Sequence, residues 1–227
     1  MIKNKDRAFW FGASDTHYIM GNWDTRTFRR WWLVKLGVTE NRFGNVYTEA
    51  GNAYEHRIAD CYLQGCRKDR QIKIRALRLR VNLDAEYGKY NIEIKTVKHK
   101  LSKPAKAHIM QVQVQMFASG LRETRLVYYK LNEDDYSNFF NDIDRTRIVA
   151  FPIQYDEDFV NNEYLPRLRI LNHCLRKGIM PCEDYMRPSE IEYGLRDGLY
   201  DITASRLARK QERRKEADKR GRGEAIR

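Results

Sequence analysis

The stretch VNLDAEYGKYNIEIKTVKHK, residues 81–100, decides how this chain is read. In NIEIKTV, Ile92, Ile94 and Thr96 alternate with Asn91, Glu93, Lys95 and Val97, the period-2 pattern of a strand. Upstream, IKIRALRLRVNLD alternates Ile72, Ile74, Ala76 or Leu77, Leu79 and Val81 with basic residues, a further strand signal with a bulge or turn near Ala76. EYGKYN between them is a turn, so the flanking segments pair as a hairpin. Residues i and i+2 of a strand face the same side, so Glu93 and Lys95 project together and Asp84, across the turn, can join them. Two meanings stand open for this trio: a metal-dependent active site, or the solvated charges of a hairpin face.

Hydrolysis of a phosphodiester needs an activated water and neutralisation of the charge that builds on phosphate and leaving oxygen. Mg²⁺ held by carboxylates supplies both, and a lysine beside it can orient or deprotonate the water. D-x8-E-x-K also arises by chance in charged sequences. Its surroundings argue for chemistry: Glu93 and Lys95 interrupt an otherwise apolar strand, where unpaired charge is costly. The segment that follows, KPAKAHIMQVQVQMFASG, has the Pro start and Gly120 stop of a helix and carries Gln111 and Gln115 on one face.

Outward from this centre, Ser14 or Asp15 can cap a short helix ended by Gly21, and Thr25 a second carrying Phe28, Trp31, Trp32 and Leu36. TEAGNAYEHRIADCYLQGC spaces Tyr54, Ile58, Cys61 and Tyr62 as an amphipathic helix with Glu55 at the border of its apolar stripe. ETRLVYYKL and RIVAFPIQY are strands, and a helix interrupted or restarted near Pro166 follows. The order is that of an α/β protein, with a domain over 1–183 and a polar, basic helix or tail over 184–227.

Of the 227 residues, 42% are hydrophobic, which excludes global disorder. The net charge of +12 favours a polyanionic partner such as nucleic acid, and the last 27 residues carry only +5 of it. Cys61, Cys66, Cys174 and Cys182 lack C-x-x-C spacing and read as reduced thiols. No apolar run long enough to span a membrane and no signal segment is visible, which points to a cytoplasmic setting.

These motifs, taken in order, resemble a known family. R-x6-S-D at Arg7, Ser14 and Asp15, G-x-x-Y-E at Gly51 to Glu55, N-L-D ending at Asp84, E-I-K at Glu93 to Lys95 and Q-V-Q at Gln111 to Gln113 follow the pattern of the PD-(D/E)XK nucleases. Within that superfamily they resemble the lambda exonuclease/YqaJ-type viral recombination exonucleases. The resemblance runs from about Arg7 to Leu131. It implies a restriction-endonuclease-like core, a central mixed sheet flanked by helices. It further implies a Mg²⁺-dependent exodeoxyribonuclease, with Mn²⁺ able to substitute, that degrades double-stranded DNA 5′ to 3′ from its ends in phage-type recombination within a bacterial host cell. A single-strand annealing protein and a ring-shaped homo-oligomer are the implied partners.

Position by position, the resemblance makes Asp84, Glu93 and the Ile94 carbonyl metal ligands, with Glu55 holding a second metal or its waters. Lys95 works on the attacking water, Gln111 positions water or phosphate, and Arg7 and Ser14 hold the 5′ phosphate. Ala85 stands where relatives often have glycine, and His108 near a position where they often carry tyrosine. An endonuclease or single-strand-specific nuclease on the same core, and a DNA-binding protein without catalysis, are the alternatives. The C-x4-C and C-x7-C spacings argue against the iron–sulfur cluster of some such nucleases.

Several residues carry two meanings. Trp31 and Trp32 can stack on a DNA end or fill the core. Arg75, Arg78 and Arg80 can contact phosphates or face solvent. Glu86 is a stand-in for Asp84, and Gln115 a better functional candidate than Gln113. The five histidines form no ligand motif, although His108 lies one helical turn before Gln111.

Overall fold

A computed structural model of the chain describes residues 8–39 and 46–181. The chain divides into two compact units, Met1–Pro181 and Cys182–Arg227, and the described residues belong to the first. Arg7, Cys182 and the basic segment 184–227 lie outside them. Among the described residues no helix is long and apolar enough to cross a membrane.

The helices are α1 (Thr16–Ile19, entered by a 3₁₀ turn), α2 (Arg26–Lys35), α3 (Val46–Tyr62), α4 (Lys106–Ser119) and α5 (Leu165–Lys177). The strands are β1 (Arg67–Ile74), β2 (Leu79–Tyr87), β3 (Tyr90–Val97), β4 (Glu123–Lys130) and β5 (Ile148–Gln154). They form one sheet in sequence order, antiparallel except that β3 and β4 run parallel, the crossover being made by α4. This is the mixed sheet flanked by helices that the sequence leads one to expect. β3 is its central strand and is covered on both faces, which explains its continuous burial from Asn91 to Ile94.

Local signals set the boundaries. The Thr25 hydroxyl accepts the Phe28 N–H at 3.1 Å and starts α2. Gly120 adopts a left-handed conformation (φ 76°) and ends α4. Gly88, also left-handed at φ 56°, turns β2 into β3 so that Tyr87 pairs with Tyr90. A π-helical turn, Phe159–Tyr164, leads into α5, and Pro166 sits in its first turn, where a missing N–H costs nothing. The bulge or turn expected near Ala76 is a 3₁₀ turn, Arg75–Leu77, closed by left-handed Arg78. β1 begins earlier than the hydrophobic pattern suggests, at Arg67. It is an edge strand with no buried residue, so no apolar alternation marks its first half.

Helix α3 packs on one face of the sheet, where Ala50, Tyr54, Ile58 and Ala59 meet Ala85, Ile92, Ile94, Val127 and Tyr129. The other face carries α4, whose Val112 and Met116 meet Leu126 and Tyr128. Gly51 lets α3 come close to β3: a Cβ there would lie 3.3 Å from the Thr96 hydroxyl. Glu55 follows one turn later, so the close approach at Gly51 sets its height over the sheet. Trp31 and Trp32 belong to the core, with Phe11 and Phe28 packed against both. Their indole N–H groups donate to Asp15 and to the Ile179 carbonyl, so they are not available to a DNA end.

Candidate active site

The β2–β3 ladder stops at Ala85–Ile92, although both strands continue. One step further, where Asp84 would face Glu93, the strands part. The Ile94 N–H, freed from the ladder, donates to the Asp84 carboxylate at 2.8 Å. N–H and C=O of one strand residue leave on the same edge, so the Ile94 carbonyl faces the same gap. On the β2 side the first half of the strand is paired instead by the segment before α1: Phe11 N–H donates to the Arg78 carbonyl and Arg80 N–H to the Phe11 carbonyl, both at 2.8 Å. The result is a cleft of about 210 Å³, walled by residues 10–15, by Arg80, Asn82 and Asp84 of β2, by Glu93, Ile94 and Lys95 of β3, and by Lys35, Glu55 and Gln111.

Glu93 is almost fully buried and collects three donors. Lys95 Nζ lies 2.5 Å from Oε1, Gln111 Nε2 donates to the same oxygen, and Gln115 Nε2 donates to Oε2. Gln115 also reaches the Asn82 carbonyl at 3.3 Å, which ties α4 to β2 across the cleft. Gln113 faces away and is structural: it donates to the Gln154 carbonyl and accepts the Asp156 N–H, both at 2.8 Å. Glu86 is held by Arg70 at 2.6 Å, which removes it as a substitute for Asp84. Glu55 comes from the helix on the opposite face and lines the cleft where the strands part.

The electrostatics follow from this crowding. Burial, then the Glu93 and Glu55 charges, push the Asp84 carboxyl well above the usual carboxylate range. Glu55 is raised by burial and by Glu93. Burial works against the Lys95 charge, but Glu93 and Asp84 outweigh it and hold the ammonium above lysine's ordinary value. His108 is lowered by burial and by Lys95, and its Nδ1 shares a 2.9 Å hydrogen bond with the Tyr128 hydroxyl. It adjoins the site without lining the cleft.

Three carboxylates and a peptide carbonyl around Lys95 make a donor set of hard oxygens, which fits a small divalent cation. Gln115 Oε1 is buried without a donor among the described residues. The grouping is not yet closed, however. Among the described residues, the three ligand atoms already within 4.8 Å of one another belong to Glu55, His56 and Asp69, and His56 Nε2 lies 2.9 Å from the Asp69 carboxylate. Glu55 thus belongs both to that cluster and to the lining of the cleft that holds Asp84 and Glu93.

Ser14 is exposed in the cleft wall, and Arg80 projects from the same face of β2 as Asp84. Asp15, part of the R-x6-S-D motif, is structural, since it accepts the Gly12 N–H, the Trp31 indole N–H and the Lys35 ammonium. The sequence singled out Asp84, Glu93, Lys95, Gln111, Glu55 and Ser14, and the fold brings all six to one cleft. It gave no sign of Lys35, since its partner lies 20 residues earlier with no local periodicity linking the two. Cys61, Cys66 and Cys174 are not joined in disulfides.

No model of a known protein family matches the chain, and no curated protein matches its sequence. Among solved structures, the alkaline exonuclease LHK-Exo from Laribacter hongkongensis is similar with a TM-score of 0.58 and 19% identity, over 90% of this chain and 97% of that one. The same enzyme in complex with dAMP matches equally. A phage-related exonuclease from Haemophilus somnus 129PT is similar with a TM-score of 0.49 and 16% identity, over 74% of this chain and 92% of that one. What the chain shares with LHK-Exo at this identity is the fold.

Proposed function

We propose that this protein is a Mg²⁺-dependent exodeoxyribonuclease of the lambda exonuclease/YqaJ type, which degrades double-stranded DNA 5′ to 3′ from its ends. The observation that carries the proposal is the parting of β2 and β3 at Asp84 and Glu93, with Lys95 on the same face. The shared fold with an alkaline exonuclease and the net charge of +12 support it.

In this reading Asp84, Glu93, Glu55 and the Ile94 carbonyl hold the cation, which when bound polarises the phosphate and lowers the pKa of its water. Lys95, kept cationic by its carboxylate neighbours, orients the attacking water and balances the charge on the phosphate. Gln111 and Gln115 fix the Glu93 carboxylate so that its geometry does not depend on the ion. Ser14 and Arg7 hold the 5′ phosphate of the strand being degraded. Acting in the cytoplasm of a bacterial host, the enzyme would leave a single-stranded overhang for an annealing protein, and a ring of subunits would keep it on its DNA.

The test is digestion of matched linear and covalently closed circular duplexes in Mg²⁺ and in EDTA. Linear DNA should shorten in Mg²⁺ alone while the closed circle persists. Linear DNA that survives Mg²⁺ and Mn²⁺ would remove the exonuclease, and cutting of the circle would favour an endonuclease.

A further inference from the structure

Three of the four tryptophans are accounted for by the core. Trp23 donates its indole N–H to the Ile19 carbonyl at 3.0 Å, Trp31 to Asp15 at 2.8 Å and Trp32 to the Ile179 carbonyl at 3.0 Å. Trp10 differs. Trp10 is half-buried and lines the active-site cleft, and among the described residues it has no hydrogen bond from its indole and no aromatic partner. The cause lies in the backbone. Phe11 pairs with β2 on both its N–H and its C=O, so the segment is extended there. Side chains then alternate: Phe11 enters the core at 0% exposure, and Trp10 turns to the cleft.

That segment is also held by hydrogen bonds at several points. Lys35 Nζ holds the Trp10 carbonyl at 2.8 Å and the Asp15 carboxylate at 2.5 Å, while Asp15 closes back on the Gly12 N–H at 2.7 Å. One buried ammonium therefore ties the Trp10 backbone to Asp15, the residue that follows Ser14. An indole without a hydrogen-bond or aromatic partner among the described residues, beside the serine proposed to hold the phosphate, has the chemistry of a base-stacking platform. Stacking on aromatic rings tolerates every base, as an enzyme that degrades DNA of any sequence requires.

We propose that Trp10 is the surface on which the base of the terminal 5′ nucleotide stacks when its phosphate lies at Ser14. The proposal rests on the exonuclease reading above. It makes Trp10 a determinant of end recognition, not a group that acts on the scissile bond.

The experiment is equilibrium binding, in the Lys95→Ala background, of fluorescent hairpin duplexes with one blunt end and a 5′-terminal nucleotide that either carries its base or is abasic. With Trp10 present, loss of the base should weaken binding by about 5- to 150-fold, the range for stacking one base on one aromatic ring. Trp10→Ala should bind both duplexes at the weaker level and no longer distinguish them, and Trp10→Phe should keep part of the discrimination. Trp10→Leu fills the same wall without a π face and replaces the alanine variant if that one unfolds. A merely structural role would lower affinity for both duplexes and leave their ratio intact, which would overturn the proposal, as would failure of the Lys95→Ala protein to bind either end. The digestion assay reads separately: binding that discriminates, in a wild-type chain that cuts nothing, would remove the exonuclease and leave Trp10 as an end-binding residue.

Discussion

Lys35 and Lys95 each hold a carboxylate at 2.5 Å in the wall of the same cleft, yet their surroundings differ. Asp15, the partner of Lys35, has all its donors from fixed protein groups, and the Lys35 side chain is 6% exposed. One charge meets one charge, and the remaining valences go to the backbone and an indole. Glu93, the partner of Lys95, is also saturated, but Asp84 and Glu55 crowd the same lysine and Lys95 is 26% exposed. A closed, balanced pair serves structure. An open cluster with surplus negative charge costs stability, and that cost is what a cation or a substrate can relieve.

The sharpest way to break this comparison is to delete each lysine. Lys95→Ala should lower the rate of duplex degradation by about 10²- to 10⁴-fold, the usual contribution of a positioned proton-transfer group. Its urea midpoint should fall far less than that of a Lys35 variant, because Gln111 and Gln115 still hold Glu93. Near-normal turnover of the variant would take Lys95 out of the mechanism. Lys35→Met should behave in the opposite sense. It strands Asp15 and costs about 3–5 kcal/mol, as for other broken buried pairs. An unchanged unfolding midpoint would show that the pair is not structural.

The surplus charge predicts a linkage between metal, pH and stability. Asp84 and Glu55 have raised folded pKa values, so the folded apoprotein keeps protons that the unfolded chain releases near the ordinary carboxylate range. Stability is fully present below that range and is lost as pH rises through the raised folded values. A divalent cation binds the ionised carboxylates and restores it. Mg²⁺ at about a hundred times its Kd should stabilise by about 2.7 kcal/mol. The rise in Tm should be larger at about pH 8 than at about pH 5 and should be mostly lost in Asp84→Asn. Equal shifts at both pH values would argue that the ion binds elsewhere.

The smallest effect belongs to Ser14. Ser14→Ala removes one hydrogen bond to a charged phosphate, worth about 1.5 kcal/mol or roughly tenfold. The loss should fall on the preference for 5′-phosphorylated over unphosphorylated ends, measured by competition between the two. An unchanged preference would separate Ser14 from the phosphate.

Much of the site is legible in the chain. Glu93 and Lys95 share a face because the side-chain period of a strand is two, and Gly88 turns the hairpin so that Asp84 and Glu93 each lie one step beyond the last pair, Ala85 and Ile92. Gln111 and Gln115, one helical turn apart, were bound to lie on one face of α4. Other features were not legible. Glu86 matches Asp84 in charge and face, and only Arg70 on the neighbouring strand disqualifies it. Trp31 and Trp32 were candidates for stacking, whereas the tryptophan that faces the cleft is Trp10, turned there by the pairing of Phe11 with a strand far along the chain. The sequence by itself determined directions: which side chains leave a strand or a helix together, because backbone periodicity is local. The tertiary structure decided which of those directions meet, where β2 and β3 part, and which charges end balanced, because those outcomes depend on packing between segments whose separation in the chain leaves no periodic trace.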